Sequence, residues 1–512
     1  GPVNVNAIED YKEISERYFF MKGQYDDLKT AEESLLEVIE ELDSGMRRQF
    51  EEKFKDIRRE FDHVFKEMFG GGQGTLELVE GEDLLEAGIQ IIAQPPGKKL
   101  QNMMQLSGGE KALTAISLVY PLQTLVTSIS VGFGVGISAA VAFFLGMGEH
   151  KKADQSASEG LFLSIVHGVL MSVLLTAILP SFLRLFTTDE EIYQMGITYG
   201  TWVLSFSLVI SVYIAYEKIY QSLGNMIVPT LCLAAGCLTN IVLDPILIFG
   251  IGPIPRMEVK GAAIATVIGQ IVPLVMYLVW HRKKGLGVSI HIKDMKPDPA
   301  ICGRLYAVGI PSSLTLGMPS LLITLLNKIA GAFSSVYVLV LGVYFKLQTF
   351  LYLPASGIVQ GMRPILSFNY GAGEKKRMKQ ILSVCTGLIF GILTVGTALF
   401  LLLPEPIMGM FSKDSVTIRE GAAALRIISL GFVVSGISVV ASGALEALGE
   451  GIPSFIISLL RYLVLIVPVA FIGSRMFGIT GVWGAFPVAE VLTAAAAAGI
   501  FTARYRACLK KL

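Results

Sequence analysis

Cysteine is scarce in this sequence, and the patterns that would tie cysteines to a metal or to one another are missing. There are five cysteines among 512 residues, without the paired spacing of a metal site or of a disulfide framework. We therefore expect small buried hydrophobic side chains at Cys232, Cys237, Cys302, Cys385 and Cys508. The first residues also lack the charged and apolar regions of a secretory signal, and the start resembles the interior of a longer protein.

Charged residues are scarce in only one part of the chain. Residues 1–111 contain 24 Asp and Glu and 14 Lys and Arg, whereas residues 112–512 contain only 18 and 28. About a third of the first part is charged, as in a solvated helical domain, against about a tenth of the second. With 53% hydrophobic residues and a mean hydropathy of +0.60, the composition excludes an ordinary soluble enzyme. It predicts a polytopic membrane protein preceded by a small soluble segment.

A long amphipathic pattern dominates the soluble segment. Over residues 11–69 apolar side chains recur at helical spacing, which predicts a long helix or the end of a coiled coil. The glycine-rich residues 70–74 lack the Lys-Ser/Thr of a phosphate-binding loop and predict an ordinary loop. Strand-like stretches follow at 75–79 and 88–93, before a Pro-Pro turn at 95–96. We therefore expect a small α+β domain flanked by a coiled coil.

A Ser-Gly-Gly turn closes this segment, within the string LQNMMQLSGGEKALTAI. Backbone amides and a hydroxyl at a helix N-terminus are suited to bind phosphate. With GPVNVNAIEDY at the start and EAGIQIIAQPPGKKLQN before the motif, residues 1 to about 116 resemble the C-terminal head of a structural maintenance of chromosomes (SMC) protein with its ABC-type signature motif. The resemblance implies that Ser107, Gly108 and Gly109 contact the γ-phosphate of ATP held by a partner head. The family's phosphate-binding loop and acidic Mg²⁺ strand are missing, so we expect ATP only with a complete partner head, and no hydrolysis by this segment alone.

Eleven apolar helices are predicted beyond the soluble segment, and several exceed the roughly 20 residues that span a bilayer. The predicted helices are 112–145, 156–181, 194–222, 227–250, 260–281, 303–333, 336–368, 380–403, 417–447, 452–474 and 480–506. Tilts or kinks are expected at Pro245, Pro319, Pro354 and Pro364. The expected fold is an all-α polytopic membrane protein.

An internal duplication organises these helices. Short motifs recur after 225 residues: Leu122-Gln123-Thr124 as Leu347-Gln348-Thr349, Gly146-x-Gly148-Glu149 as Gly371-x-Gly373-Glu374, Phe186-x-x-Asp189 as Phe411-x-x-Asp414, and Leu223-Gly224 as Leu448-Gly449. Two homologous halves are typical of transporters, with a substrate path where the halves face each other. We therefore predict a segment at 1–111, a first lobe at 112–300 and a second lobe at 301–512.

Basic residues fall in alternate loops and set the orientation. They occur at 151–152, 282–296, 375–379 and 504–511, and the positive-inside rule makes these loops cytoplasmic. The acidic turn at 189–191 then lies outside, and so does the start of the first predicted helix. Because the helix at 303–333 has no counterpart before residue 112, the pattern predicts that the first of twelve helices has been lost.

Acidic residues inside the predicted spans are the candidates for chemistry, because a membrane carboxylate is costly unless it faces a polar cavity or partner. Asn240 and Asp244 are one helical turn apart, and Pro245 frees a carbonyl beside them, which predicts a proton or Na⁺ site. The second-lobe counterpart of Asp244-Pro245 is Val467-Pro468, so the scaffold does not require the acid. The alternative is an ion pair that only packs helices.

Other polar residues in the spans leave two interpretations open. Glu217 is a second candidate acid or the partner of Lys218, and Thr266 adds a hydroxyl to the site or bonds to its own helix backbone. A further set lines the cavity or forms pairs within itself, namely Gln123, Gln348, Lys346, Arg363 and Glu446. His167 and Glu490 are interpreted as interfacial or packed residues.

The second part resembles the multidrug and toxic compound extrusion (MATE) family. The resemblance rests on YPLQ at 120–123, LGMGEHKKAD at 145–154, NIVLDPILI at 240–248, GAAIATVIGQ at 261–270, YFKLQTF at 344–350 and NYGAGEKKR at 369–377. It implies twelve helices in two lobes, a central cavity for amphipathic and often cationic drugs, and a rocking motion driven by H⁺ or Na⁺. It also implies a monomer in the bacterial cytoplasmic membrane, with no enzymatic activity, no cofactor and no DNA bound by the membrane part.

The same resemblance assigns Asp244 and Asn240 to a cation site and Glu217 to a functional acid. The family's further Asp on its first helix would fall where the SMC-like sequence stands. The hypothesis is multidrug efflux by antiport, in which protonation of Asp244 favours outward release of a cationic drug. One alternative is an SMC-type ATP-binding protein of chromosome partition. Another is a chimera without function, joined at the stretch GEKALTAIS, which fits both families.

Overall fold

The computed structural model describes residues 7–69, 73–78, 89–94, 101–102, 108–285 and 287–512. The chain folds into two units, Gly1–Glu110 and Lys111–Leu512. Residues 70–72 of the loop predicted at 70–74, the Pro-Pro turn at 95–96 and Ser107 lie outside the described residues. The prediction of a loop at 73–74 is wrong, because these two residues begin a strand, Gln73–Leu78.

The first unit combines one long helix with a small sheet. Helix α1 is Ala7–Phe69, and strands β1 (Gln73–Leu78), β2 (Ile89–Gln94) and β3 (Gln101–Asn102) form an antiparallel sheet in the order β1-β2-β3. The register pairs Gln73 with Gln94 and Ile92 with Asn102. Helix α1 contacts β1 through Arg58, whose Nε donates to the Leu76 carbonyl at 2.7 Å. The predicted helix and both predicted strands are confirmed within the described residues.

The second unit consists of helices in the part of the chain that the structure describes. They are α2 (Gly108–Gly146), α3 (His150–Arg184), α4 (Glu190–Ser205), α5 (Ser207–Ser222), α6 (Ile227–Phe249), α7 (Glu258–Lys284), α8 (Pro299–Gly331), α9 (Ser335–Gly371), α10 (Lys375–Leu402), α11 (Pro404–Gly409), α12 (Ser415–Ser429), α13 (Phe432–Ala447), α14 (Gly451–Leu459), α15 (Ile466–Phe477) and α16 (Ile479–Lys511). A 3-10 turn covers Ile292–Asp294, and a π-helical segment, Leu460–Leu465, joins α14 to α15.

Among the described residues nine helices are long and apolar enough to cross a membrane, and the count is eleven if each of two bent helix pairs is one span. The bent pairs are α4 with α5, at 41°, and α12 with α13, at 52°. The spans predicted at 194–222 and 417–447 are therefore bent pairs, whereas the span predicted at 452–474 corresponds to the single candidate span Gly451–Phe477. At the first bend the Ser207 hydroxyl donates to the Leu204 carbonyl at 2.6 Å, a side-chain bond that competes with the helix ladder and bends helices.

The duplication is visible in the helix bounds. Moving α13 back by 225 residues gives 207–222, the bounds of α5, and moving α9 back gives 110–146, close to α2. Helix α8 moved back in the same way falls on 74–106, where the described residues form β1, β2 and β3. In the sequence, the stretch that would correspond to α8 therefore contains strands among its described residues.

The two halves of the second unit meet where the basic loops lie. A side chain at Gly146 would contact the Phe368 carbonyl, and one at Gly371 would contact the Phe143 carbonyl, so that α2 and α9 cross through reciprocal glycines. The Ser367 hydroxyl adds a bond of 2.7 Å to the Ala139 carbonyl. These contacts join the two lobes at the end that carries the basic loops, the end for which the positive-inside rule predicts a cytoplasmic position.

The opposite end carries the acidic turn. The Lys111 ammonium, at the start of α2, lies 3.6 Å from an Asp189 carboxylate oxygen and also contacts Glu191. The start of α2 and the acidic turn therefore share one end of the unit, as the charge pattern predicted. The other end of α2 reaches the crossing with α9.

Candidate ion and substrate sites

The first-lobe acid lies between α6 and α7, which pack closely because glycines face each other. A side chain at Gly236 would lie 2.5 Å from the Gly269 carbonyl, and one at Gly269 would lie 3.0 Å from Asn240 Cβ. Small residues of this kind let membrane helices approach. The close packing brings Asn240 and Asp244 on α6 next to Thr266 on α7.

Hydrogen bonds join these three predicted residues. With its amide nitrogen facing Asp244, Asn240 donates to Asp244 Oδ2 at 3.3 Å, and the Thr266 backbone N–H donates to the Asn240 amide oxygen at 3.3 Å. The Thr266 hydroxyl donates to the Ala262 carbonyl at 2.9 Å, which is the backbone bond that the sequence left open as an alternative. Thr266 therefore contributes its N–H to the network.

Asp244 keeps one oxygen free in this network. Its Oδ1 is buried and has no hydrogen-bond partner, and no ion pair to Asp244 occurs among the described residues. A carboxylate held in an apolar helix pair without a positive partner favours uptake of a proton or a cation. No group of three His, Cys, Asp or Glu side chains in the described part of the chain could hold a metal ion.

The second predicted acid, Glu217, has a positive partner. Lys218 Nζ lies 2.8 Å from Glu217 Oε1, and the Gln221 amide donates to the same oxygen at 2.9 Å. Lys218 also donates to Gln360 on α9 at 3.4 Å, and its stem packs against Gly134 of α2. Of the two interpretations of Glu217, the geometry corresponds to the ion pair, and Lys218 links the two lobes.

A cavity of about 580 Å³ lies mainly in the second lobe. Three predicted residues line it, namely Gln348, Arg363 and Glu446. Two others lie elsewhere: Lys346 is exposed, and Gln123 donates to the Tyr199 hydroxyl at 3.5 Å. The cavity wall also contains Lys218, Arg461 and Glu490, together with the aromatic side chains Phe345, Tyr352, Tyr462 and Phe486.

One ion pair in the cavity wall is tied deep into the helices. Arg363 on α9 lies 2.6 Å from Glu446 Oε2, and Glu446 on α13 is only 2% exposed. The other oxygen of Glu446 accepts from Ser312 at 3.0 Å and from Ser454 at 3.2 Å. Arg363 and Glu446 therefore line the cavity and also pair with each other.

A second ion pair was not predicted. Arg461, in the π-helical segment, donates through Nε to Glu490 Oε1 at 2.8 Å and through a guanidinium NH₂ group at 2.7 Å. Both side chains line the cavity, so Glu490, interpreted from the sequence as interfacial or packed, is packed in an ion pair and also forms part of the cavity wall. The signal was available, because Arg461 stands alone in the apolar run ISLLRYLVLIV.

The remaining predicted positions lie outside both sites. His167 Nε2 lies 2.9 Å from the Tyr306 hydroxyl, and its ring packs edge-on against Phe133, so it is a packed residue. Gly108 and Gly109 are the first residues of α2, and Gly109 is exposed.

In the part of the chain that the structure describes, nine apolar helices and two bent pairs form the candidate spans. Together with the internal repeat, the interlobe crossing and a cavity walled by ion pairs, they define a membrane transporter with two helical lobes. The family model described as MatE matches residues 90–246 and 311–472, more than half of the chain. The chain therefore belongs to the MatE family. Its members are secondary transporters and not enzymes, and the chain is a multi-pass protein of the bacterial inner membrane. The first matched block begins at residue 90, within the segment that resembles an SMC head.

Several curated proteins are similar to this chain. The multidrug export protein MepA of Staphylococcus aureus is 26% identical over 388 residues, which cover 75% of this chain and 84% of that protein. MepA of Staphylococcus saprophyticus is 26% identical over 403 residues, with 76% and 85% covered.

Solved structures share the same fold. The outward-facing conformation of a multidrug resistance MATE family transporter of the MOP superfamily aligns with a TM-score of 0.74 at 25% identity, over 79% of this chain and 90% of that one. A MOP superfamily transporter from Pyrococcus furiosus aligns with a TM-score of 0.73 at 25% identity and the same coverage. That structure is described as having a binding pocket of reverse polarity that suggests a different function.

Proposed function

We propose that the chain exports amphipathic, cationic drugs from the cell in exchange for H⁺ or Na⁺. Its similarity to multidrug export proteins over three quarters of its length supports the drug cargo. The acids within its spans support ion coupling. Because one chain contains both lobes, the cavity and the first-lobe acid, we propose that the monomer is the working unit.

The free oxygen of Asp244 is the observation that carries the antiport proposal. Asn240 supports the other oxygen, so the carboxylate is held in place while Oδ1 has no partner in the described structure. Binding of H⁺ or Na⁺ at Oδ1 neutralises the site, which changes how strongly α6 and α7 attract a positive cargo. An ion moves the lobes only through such a difference in affinity between conformations.

The test uses inside-out vesicles that contain the full chain and a fluorescent cationic drug. Asp244→Asn is expected to abolish drug accumulation driven by an H⁺ or Na⁺ gradient, because the amide neither releases a proton nor balances a cation. Glu374→Gln is the matched control, since it removes an exposed acid between α9 and α10. Normal accumulation by Asp244→Asn would contradict the assignment, and applying each gradient separately identifies the coupling ion.

For the first unit we propose an SMC-type head fragment as a second candidate function. Two observations favour it: α2 begins at Gly108, directly after Ser107 of the signature-like turn, and α1 exposes an apolar stripe. In that stripe Leu35 is 63% exposed, Ile39 59% and Leu42 61%, as in one half of a coiled coil without its partner helix.

ATP-dependent association of the full chain in detergent tests this second candidate. An increase in mass by light scattering with ATP, lost in Ser107→Arg, would support a head that binds ATP across a dimer. An unchanged mass would contradict it and leave the chimera without function as the interpretation of residues 1–111. We expect no DNA binding by the membrane part in either case.

A further inference from the structure

Arg461 occupies a position in the cavity wall that is built to hold an organic cation. Its guanidinium carbon lies 5.5 Å from the ring centroids of both Tyr352 and Tyr462. Glu490 Oε1 accepts from it at 2.8 Å and 2.7 Å, and the Tyr352 hydroxyl accepts at 3.4 Å. A carboxylate combined with aromatic faces is the usual environment for a bound ammonium or guanidinium group.

The cation in this environment is the protein's own Arg461 guanidinium, and Arg461 lies where the backbone is irregular. Arg461 lies in the π-helical segment Leu460–Leu465, and such segments occur frequently at functional sites. A return of this segment to α-helical hydrogen bonding would change the register between α14 and α15, and with it the position of Arg461 relative to Glu490. The helix on the other side, α16, holds Glu490 in regular α-helical geometry.

The neighbouring pair shows what a fixed ion pair looks like in the same cavity. Oε2 of each acid is buried without a hydrogen-bond partner in the described residues, although Glu446 Oε2 lies 2.6 Å from Arg363. The two acids differ at Oε1: Glu446 Oε1 accepts from two serine hydroxyls, whereas Glu490 Oε1 contacts Arg461. Two serines therefore anchor Glu446, and among the described residues Arg461 supplies the contacts to Glu490.

Loss of Arg461 from the cage would leave a buried carboxylate without a partner, which is strongly unfavourable. A second cation in the same place removes this penalty. A cargo that presents a positive group between aromatic or apolar substituents also fits the wall, since Phe345 and Phe486 line the same cavity.

We propose that Glu490, Tyr352 and Tyr462 form the binding cage for the positive group of the cargo, and that Arg461 occupies it as an internal substitute until a lipophilic organic cation displaces it. This inference rests on the proposed function, because it specifies where the cationic drug binds. Cargo and Arg461 then compete for one carboxylate, and binding of cargo is linked to movement of the π-helical segment.

The experiment measures equilibrium binding of methyltriphenylphosphonium to the purified full chain in detergent, with no ion gradient. Arg461→Gln is expected to tighten binding about tenfold, because removal of the competitor frees the aromatic and carboxylate contacts for the probe. Glu490→Gln and Tyr352→Leu are each expected to weaken it. A residue with only a structural role would give the opposite sign for Arg461, because its loss would loosen the cavity wall.

Arg363→Gln is the matched control, since it removes the other arginine of the same wall and is expected not to tighten binding. The double variant Arg461→Gln with Glu490→Gln removes both charges and serves if a single variant fails to fold. Because its cage is neutral, it is expected to bind the probe more weakly than the wild-type protein. Unchanged or weaker binding by folded Arg461→Gln would overturn the proposal, and so would equal tightening by Arg363→Gln. If only the double variant folds, wild-type affinity in it would overturn the proposal.

Failure of this inference is distinguishable from failure of the antiport proposal. If Asp244→Asn accumulates drug normally while Arg461→Gln tightens binding, the cage stands and the coupling assignment fails. If Asp244→Asn abolishes accumulation while binding is indifferent to Arg461 and Glu490, coupling stands and the cage fails.

Discussion

The two lobes carry their acids between equivalent pairs of helices but neutralise them in different ways. In the first lobe Asp244 lies on α6, beside an amide on the same helix and without a cation. In the second lobe Glu490 lies on α16 and is paired with Arg461 from the preceding helix segment. One duplicated scaffold thus provides an open site for an exchangeable ion in one half and a site closed by its own arginine in the other.

Corresponding positions in the two lobes carry different side chains. Glu490 follows Gly481 by as many residues as Gln270 follows Gly261, and both glycines lie against a carbonyl of the neighbouring helix. At the 223-residue shift that relates Asp244-Pro245 to Val467-Pro468, Arg461 corresponds to Leu238. The first lobe therefore has a neutral amide and a leucine where the second has an acid and an arginine, and the second lobe has the π-helical segment there.

The largest expected difference between the lobes is in transport. Asp244→Asn is expected to remove all gradient-driven accumulation while downhill drug exchange continues, because the ion step alone is lost. Glu490→Gln is expected to raise the apparent KM for a cationic drug and leave accumulation ion-dependent. Initial rates in vesicles with and without a gradient measure both effects. Equal loss of gradient-driven accumulation in the two variants would show that the acids are equivalent.

A second contrast concerns stability. Glu446→Gln is expected to destabilise the protein by about 3 kcal/mol, the lower end of the range for a broken buried pair, because the half-buried Arg363 is left without its counter-ion. Asp244→Asn makes the same acid-to-amide change at a site without a cation and is expected to change stability far less. Unfolding by SDS titration in mixed micelles measures both, and similar losses would contradict the distinction between open and closed sites.

A third contrast concerns packing of α6 against α7. Gly236→Ala is expected to destabilise the protein by about 1–3 kcal/mol, since its methyl group would overlap the Gly269 carbonyl and Pro273. Gly484→Ala on α16 is the control, because no atom of the described structure lies within 4 Å of the new methyl group. That variant is expected to gain about 0.5–1 kcal/mol in helix stability. The thermal unfolding midpoints of the two variants measure these changes in stability. An unchanged midpoint in Gly236→Ala would mean that α6 and α7 are free to separate.

The sequence predicted the first-lobe site because its parts are close together in the chain. Asn240 and Asp244 are a helical turn apart, and the apolar runs of the chain predicted eleven spans, the number found in the described residues when each bent pair counts as one span. The sequence did not predict the Arg461–Glu490 pair, because the two side chains lie on different helices. They meet through a π-helical segment, which hydrophobic periodicity does not indicate. The sequence did not predict the bends at α4–α5 and α12–α13, because the apolar pattern continues through both. At each bend a serine hydroxyl donates to a backbone carbonyl of the same helix pair, which changes the backbone direction without changing the hydrophobic pattern. Glu217 was ambiguous because its partner, Lys218, is adjacent to it.

The smallest expected effect concerns a feature that the lobes share. Asp189 and Asp414 cap α4 and α12, and hydrogen bonds hold the pKa of each carboxyl below its ordinary 3.8. The donors to Asp189 are the backbone N–H groups of Ile192 and Glu191. The donors to Asp414 are the hydroxyl and the backbone N–H of Thr417. A lowered pKa means that the caps stabilise the fold above pH 3.8 and lose that contribution as the pH falls below it. Asp189→Asn and Asp414→Asn keep the cap without a titrating group, so each is expected to flatten slightly the fall in melting temperature between pH 5 and pH 3. Equal flattening by the two variants would show that the duplication preserved the acids outside the membrane while those within it diverged. A flattening confined to Asp189, which also contacts Lys111, would mean that this pair and not the shared cap sets the response.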